Sequence, residues 1–409
     1  MSYLDTLLQG FEVEWKRIWE VTTWDKKFNA VENFKQPKTI KYHHLLSNEI
    51  KPLILKEGNV KLLTTNETNF CTSEELAGSL ISDSEIVAIP WGGNVIVQYY
   101  KGKFLTGDNR IAVSNDPTYL DTKFLYYFLK NNLKLLESFY RGSGIKHPSM
   151  AGVLDMQIPI PPLSVQKEIV RILDSFTELT AELTAELTAR KNQYTFYKEQ
   201  LFSFNNVEIE REPLGVIGDF QRGKRFVKDD MISEGVPCIH YGEMYTYFGT
   251  WANKSRSFLS DELVEKKNLR IAENGDVVIV AAGETIEDIG MGTAWLGDEG
   301  VVIHDACFSY RSPLHPKYVA YFTRTKQFHD QIKKHISSGK ISAINARGLE
   351  KALIPIPSPE EQLRIVTILD KFDILTTSIS EGLPKEIELR KKQYEYYRDL
   401  LLTFPKKEN

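Results

Sequence analysis

The chain has 409 residues, 42 % of them hydrophobic, and 51 Lys+Arg against 55 Asp+Glu give it a formal net charge of −4. At roughly 100–200 residues per domain it holds two to four domains with real cores, which excludes a peptide, a disordered tail and a global basic field that holds a polyanion non-specifically. Cys71, Cys238 and Cys307 lie far apart, the first residues carry an acid where a secretory signal is basic, and no long uncharged apolar run occurs; these features argue against a disulfide framework, paired-cysteine zinc and a membrane span, and lead us to expect a cytoplasmic protein.

The chain opens with Tyr3-Leu-Asp5-Thr-Leu7-Leu8 and passes into a region, about 10–157, of short β-rich runs such as Ile86-Val-Ala-Ile-Pro and Asn94-Val-Ile-Val-Gln-Tyr-Tyr between Gly, Asn and Asp turns. The His43-His44 pair in this region reads as a partly exposed strand or turn and not as a metal site. A helix is expected from Asp121 to Phe139, followed by the basic Gly/Ser loop Arg141-Gly-Ser143-Gly-Ile-Lys146-His147. From Ile158 a Pro-rich segment that cannot be helical leads into apolar positions spaced by three and four, Ile169, Leu173, Phe176, Leu179, Leu183, Leu187, Tyr194, Tyr197 and Leu201. That heptad-like stripe predicts one long helix with Ser164 as its N-cap. A helix of forty residues spans about 60 Å, more than a globular core needs, so it is read as a spacer.

A second mixed region, about 206–353, holds the strand-like runs Asp276-Val-Val-Ile-Val-Ala and Gly300-Val-Val-Ile-His, a closing helix from Pro316 to Ile336, and the loop Lys333-Lys-His-Ile-Ser-Ser338-Gly-Lys340. The last segment starts at Ile354 with a helix signal, Ser358-Pro-Glu-Glu. It carries Gly382 and Pro384, which predict a kink or a restart with Pro384 in a new first turn.

These segments repeat. Ile158-Pro-Ile-Pro-Pro-Leu-Ser-Val-Gln166 through Asp174 and Phe176 recurs, 196 residues on, as Ile354-Pro-Ile-Pro-Ser-Pro-Glu-Glu-Gln362 through Asp370 and Phe372. Arg190-Lys-Asn-Gln-Tyr194-Thr-Phe-Tyr197 recurs as Arg390-Lys-Lys-Gln-Tyr394-Glu-Tyr-Tyr397 at an offset of 200. The difference of four falls where Thr180-Ala-Glu-Leu183 and Thr184-Ala-Glu-Leu187 stand in tandem. The opening segment resembles Tyr397-Arg-Asp399-Leu-Leu401-Leu402, as in a cut circle of two equivalent halves. The expected architecture is α+β and pseudo-twofold: domains 1–157 and 206–353, with spacer helices in 158–205 and 354–409 that pair antiparallel as a coiled coil.

No phosphate loop, zinc-protease helix, nucleophile elbow or amino-methyltransferase motif is present, so no catalytic residue and no metal ligand is nominated; Gly290-Met-Gly-Thr-Ala-Trp reads as a hairpin turn. Binding candidates are better placed. Gln221-Arg222-Gly-Lys224-Arg225-Phe puts three cations and a glycine on one loop, suited to phosphates or to guanine edges. To these we add Arg141, Ser143, Lys146 and His147, their counterparts Ser338 and Lys340, Trp91 and Asn94 at a strand end matching that of Ala282-Gly-Glu284, and Arg347. Glu182, Leu183, Glu186, Leu187, Arg190, Tyr194, Tyr197, Arg390, Tyr394 and Tyr397 are assigned to the spacer and to protein docking, since exposed glutamates have the wrong charge for DNA.

Taken together, the two Ile-Pro-Ile-Pro segments, the tandem Thr-Ala-Glu-Leu units and Glu381-Gly-Leu-Pro-Lys-Glu-Ile-Glu-Leu-Arg-Lys-Lys-Gln-Tyr-Glu-Tyr-Tyr-Arg398 resemble the specificity (S) subunits of type I restriction–modification systems, over essentially the whole chain. The resemblance implies two target-recognition domains that each read half of a bipartite site in double-stranded DNA. It implies helices that fix the gap and dock two modification subunits, with restriction subunits joining through these. S-adenosylmethionine, ATP and Mg would belong to those partners and no cofactor to this non-catalytic chain. The alternative left open by the residues is a coiled-coil assembly scaffold that does not itself read DNA.

Overall fold

A computed structural model describes residues 3–8, 10–205, 208–337, 339, 341–378 and 380–404. The chain divides into two compact units, Met1–Glu182 with Ile387–Asn409, and Leu183–Glu386.

The first unit is built on a sheet with strands in the order Thr22–Trp24, Asn109–Ser114, Ser82–Pro90, Gln98–Thr106, Val60–Leu63, Cys71–Thr72. Neighbours are antiparallel except Val60–Leu63, which runs parallel to Gln98–Thr106. The apolar run Ile86–Pro90 is buried on both faces because successive side chains alternate: Val87 and Ile89 enter one core, Ile86 and Ala88 another. The second unit repeats this device. Its sheet runs Asp219–Arg222, Cys307–Arg311, Val277–Val280, Gly292–Trp295, Trp251–Ala252, with Val277 and Ile279 in one core and Val278 and Val280 in the other. A further sheet, in the order Ser257–Leu259, Val236–Ile239, Val301–Ile303, Ile271–Ala272, lies in the same unit. The strand expected from Asn94 begins only at Gln98. Gly290 takes φ +90° ahead of strand Gly292–Trp295, which pairs antiparallel with Val277–Val280, as a hairpin return requires.

Each closing helix is two helices. Thr122–Asn131, capped by the Asp121 carboxylate, stops where the Asn132 side chain bonds the Phe128 carbonyl at 2.9 Å, and Leu133–Ser138 follows. Pro316–Phe322 stops before Thr325, whose hydroxyl caps Lys326–Ile332 through the Phe328 N–H at 3.2 Å. Local side-chain bonds to the backbone ended helices that apolar periodicity alone would continue.

The repeated segments dock on these helices by the same bonds. Gln166, buried, accepts the Asp121 N–H at 2.9 Å and donates to the carbonyls of Tyr119 and Pro161, each at 2.8 Å. Gln362 accepts the His315 N–H at 2.9 Å and donates to the Pro357 carbonyl at 2.9 Å. Asp174 receives Lys123 Nζ at 2.7 Å and the Tyr127 hydroxyl at 2.6 Å; Asp370 receives Lys317 Nζ at 2.8 Å and the Tyr321 hydroxyl at 2.7 Å. The strand pairs also match: Trp15 faces Pro159 in Glu14–Arg17 with Gln157–Ile160, and Arg211 faces Pro355 in Arg211–Pro213 with Leu353–Pro355.

Helix Leu163–Ser203 is unbroken over 41 residues, beginning in the first unit and ending in the second. It starts on the Pro162 carbonyl, which accepts the Val165 and Gln166 N–H groups, so Ser164 lies inside the first turn and is not its cap. Pro162 stands in this copy where the other copy has Ser358, and Ser358 does cap Pro359–Thr377 through the Glu361 N–H at 3.3 Å. The second rod is interrupted as the sequence predicts. Gly382 adopts φ +82°, where a Cβ would lie 2.4 Å from the Ile374 carbonyl oxygen, and helix Leu383–Leu402 restarts with Pro384 in its first turn. Within the first unit Phe176 stacks on Tyr397 at 5.3 Å while Val165, Ile169 and Leu173 share a core with Leu401, Leu402, Phe404, Leu4 and Leu8. Within the second, Tyr194 and Tyr197 stack on Phe372 at 6.0 and 5.7 Å, and Phe202 joins Ile365, Val366 and Leu369. In both, rising numbers on one helix meet falling numbers on the other, an antiparallel pairing.

Candidate nucleic-acid interface

In the first unit, central strand Ser82–Pro90 runs out into Trp91-Gly92-Gly93-Asn94, and this loop meets a two-stranded ribbon in which Tyr140 pairs with Pro148 and Arg141 with His147. The Gly93 N–H donates to the Lys146 carbonyl at 3.1 Å, and His147 Nδ1 donates to the Trp91 carbonyl at 2.7 Å. Gly92 lets the ribbon side chains lie close: a Cβ there would lie 2.9 Å from Ile145 Cγ2 and 3.0 Å from the His147 ring, and these side chains would have to shift. Trp91 is partly buried, stacked on Phe28 at 6.5 Å, with the Arg110 guanidinium 4.7 Å and the Lys26 ammonium 5.0 Å from its ring. Asn94, Arg141, Ser143, Lys146 and His147 are exposed. Six residues nominated from sequence thus lie on two adjoining loops.

Behind Trp91 sits a charge network the sequence did not announce. Arg110 is 2 % exposed and bonds the fully buried Asp25 carboxylate at 2.8 Å and Asp108 as well. His44 places Nε2 3.2 Å from Asp25 and Nδ1 2.9 Å from the Gly107 carbonyl. Both ring nitrogens face oxygens, so the Asp25 carboxylate, with the carbonyl, raises the His44 pKa above the ordinary histidine value.

The second unit has the same plan. Its central strand Val277–Val280 is followed by Ala282–Gly283, which pairs with Ser342–Ala343, Gly283 facing Ser342. Ser337 and Ala343 exchange backbone bonds of 2.8 and 3.1 Å, the register of Arg141 and His147 displaced by 196. Ser338 and Lys340 lie outside the described residues. Beside the pair is a cleft of about 390 Å³ lined by Arg222, Arg225, His240, Tyr241, Glu284 and His304. Arg222 is exposed but donates to the Asp305 carbonyl at 2.9 Å, Lys224 is half-buried with Nζ 3.5 Å from the Lys267 carbonyl, and Arg225 is exposed. Gly223 allows the loop to lie on strand-end residues Ile303 and His304, whose carbonyl oxygens a Cβ would meet at 2.4 and 2.2 Å. Burial lowers the pKa of His240 and of His304, leaving neutral rings 4.8 Å apart. His240 Nδ1 accepts the Gly242 N–H at 3.3 Å, which puts the proton of the neutral ring on Nε2. Arg347 is exposed on the short helix Ala346–Glu350, after the ribbon.

The residues assigned to the spacer divide by face. Tyr194, Tyr197 and Tyr397 make the stacked contacts already described, and Tyr394 packs on the first unit's core. Glu182 and Glu186 are exposed, and Leu183 and Leu187 half-buried. Arg190 bonds Glu186 at 2.7 Å and Gln193 at 2.8 Å, and Arg390 bonds Gln393 at 2.9 Å, the same link one repeat later. Sequence reasoning missed Gln166, Asp174 and their copies as the docking residues, although their recurrence at one offset was the available signal. Among the described residues no cluster of His, Cys, Asp and Glu can hold a metal ion, and no helix is long and apolar enough to cross a membrane.

Comparison with known proteins addresses both halves of this arrangement. The family model for the type I restriction modification DNA specificity domain matches residues 22–190 and again 206–389. The chain is 34 % identical over 424 residues to the Escherichia coli type I restriction enzyme EcoR124I/EcoR124II specificity subunit, covering 100 % of this chain and 98 % of that one. It is 26 % identical over 403 residues to the Escherichia coli type I restriction enzyme EcoprrI specificity subunit, covering 93 % and 92 %. The crystal structure of a type I restriction–modification S subunit from M. genitalium superposes with a TM-score of 0.56 at 16 % identity, over 97 % of this chain and 98 % of that chain, a likeness of fold. Two matched domains and near-complete coverage of a relative above 30 % identity make the chain a member of the type I restriction–modification specificity-subunit family.

Proposed function

We propose that this protein is the DNA-reading subunit of a type I restriction–modification complex. Each unit recognises one half of a bipartite site in double-stranded DNA, and the helices set the gap between the halves. The observation that carries this reading is the ribbon that both units share in one register at an offset of 196, met in each unit by the segment that follows the central strand, on sheets whose sequences otherwise diverge. A shared frame with differing side chains is what two readers of different targets need: contacts to phosphates position the protein, contacts to base edges specify, and Arg, Lys, Asn, Ser and His side chains serve for both. In the first unit these are Asn94, Arg141, Ser143, Lys146 and His147 beside Trp91; in the second they are Arg222, Lys224, Arg225 and Arg347, with Ser338 and Lys340 assigned from sequence. DNA and the modification and restriction subunits are its partners, two modification subunits docking on the two equivalent helical segments. Methyl transfer from S-adenosylmethionine and the ATP- and Mg-dependent steps belong to those subunits, and this chain supplies the address in the cytoplasm.

Mapping methylated adenines in a host that expresses the chain with its modification subunit tests the reading. A bipartite motif with a fixed gap is expected. Methylation without a sequence motif, or unchanged when this chain is omitted, contradicts it and leaves the assembly-scaffold alternative.

A further inference from the structure

The two ribbons carry a matched feature that the charged residues do not explain. Ile145 is 69 % exposed at the tip of the loop between Arg141 and His147, and Ile341, 196 residues later, is 63 % exposed between the paired Ser337 and Ala343. An aliphatic side chain left in water forgoes the stabilisation of burial, and here it recurs at the same step of two ribbons whose other residues differ. Each isoleucine is also placed among cations. Ile145 rests Cγ2 against Gly92, with exposed Arg141 and Lys146 on its own loop; Ile341 lines the cleft that holds Arg222 and Arg225.

We infer that Ile145 and Ile341 read the 5-methyl group of thymine, one in each half-site, from the major groove. The inference rests on the DNA-reading function proposed above. A two-stranded ribbon fits the major groove, about 12 Å wide. An aliphatic side chain can neither donate nor accept a hydrogen bond, and thymine's methyl is the one apolar group that base edges present there. Flanking arginine and lysine at the groove rim contact phosphates and hold the tip in place. Ile145 Cγ2 lies against Gly92 while the rest of the side chain faces outward.

The test uses the full chain assembled with its modification subunits and a duplex carrying the site found by methylation mapping. Each thymine of the site is replaced, one at a time, by deoxyuridine, which lacks only the methyl. In each half-site one position is expected to lose about fourfold in affinity, the value of one buried methyl group. Ile145→Ala should abolish that sensitivity in one half-site and Ile341→Ala in the other, while Ile145→Val keeps most of it. Uracil tolerated at every position, or sensitivity unchanged in both alanine variants, overturns the inference and leaves DNA reading intact. So does a tip that instead bends the duplex as a minor-groove wedge, seen as an Ile145-dependent bend without uracil sensitivity. Equal binding of matched and scrambled duplexes by the unaltered complex overturns the DNA-reading proposal and this inference with it.

Discussion

Gln166 and Gln362 each tie the start of a repeat helix to backbone groups of the domain it follows. Gln166→Leu keeps the volume but orphans the Asp121 N–H and two carbonyls, at about 1–3 kcal/mol for each group left dry. Denaturant unfolding should show the loss in the transition of the first unit, and Gln362→Leu should show it in the second; unfolding curves like that of the parent would remove this role. Asp25 and Arg110 are a buried ion pair, and Asp25→Asn should destabilise, by less than the about 3–5 kcal/mol of a fully unpaired buried charge, because Arg110 keeps only the exposed Asp108 as counter-charge. His44 adds a pH dependence. Its folded pKa is raised by Asp25, so its contribution is fully present below the ordinary histidine value and is lost as pH climbs through the raised one. Thermal unfolding of His44→Asn should lack that alkaline-side decline, and an identical pH profile would exclude His44 as its source. On the proposed DNA-contacting loop of residues 221–226, Arg225→Ala should relax one base position in the second half-site, whereas Lys224→Ala should weaken all sequences and flatten the salt slope by about one unit. Little of this chemistry was legible in advance. The partners of Gln166 and Gln362 lie in diverged segments, and Asp25, His44 and Arg110 are scattered along the chain until the sheet gathers them.

Among the elements, periodicity and local signals served best where a helix stands by itself. The stripe from Ile169 to Leu201 predicted a single long helix, and Gly382 with Pro384 predicted the restart, because helical spacing and backbone restriction are written residue by residue. The closing helices were misjudged at Asn132 and Thr325, where one side chain competing for a backbone group decides the boundary. The two ribbons were visible only as Gly-rich basic loops. Their pairing is made by backbone groups, which composition does not encode, and the repeat offset alone marked them as related. The tandem Thr-Ala-Glu-Leu units yield a prediction at this scale. Removing Thr184–Leu187 shortens a helix by about 6 Å and turns it by roughly 40° beyond a full turn, against about 3.4 Å per base pair. Methylation mapping should then show a shorter unspecified gap between unchanged half-sites; an altered half-site with the same gap would show that these units do not act as a ruler.

For the whole molecule, duplication explains more than any single contact. The N-terminal residues Leu4 and Leu8 share a core with Leu401, Leu402 and Phe404, as the likeness of the opening segment to Tyr397–Leu402 leads one to expect. Each unit therefore contains its own sheet, its own docking glutamine and aspartate, and stretches of both rods. Units built this way should read DNA independently. The most direct measurement replaces residues 206–353 with the corresponding region of another family member and maps methylated adenines in cells that also carry the modification subunit. One half-site should change while the other half-site and the gap stay as they were; a change in both halves would contradict independent reading by two duplicated units.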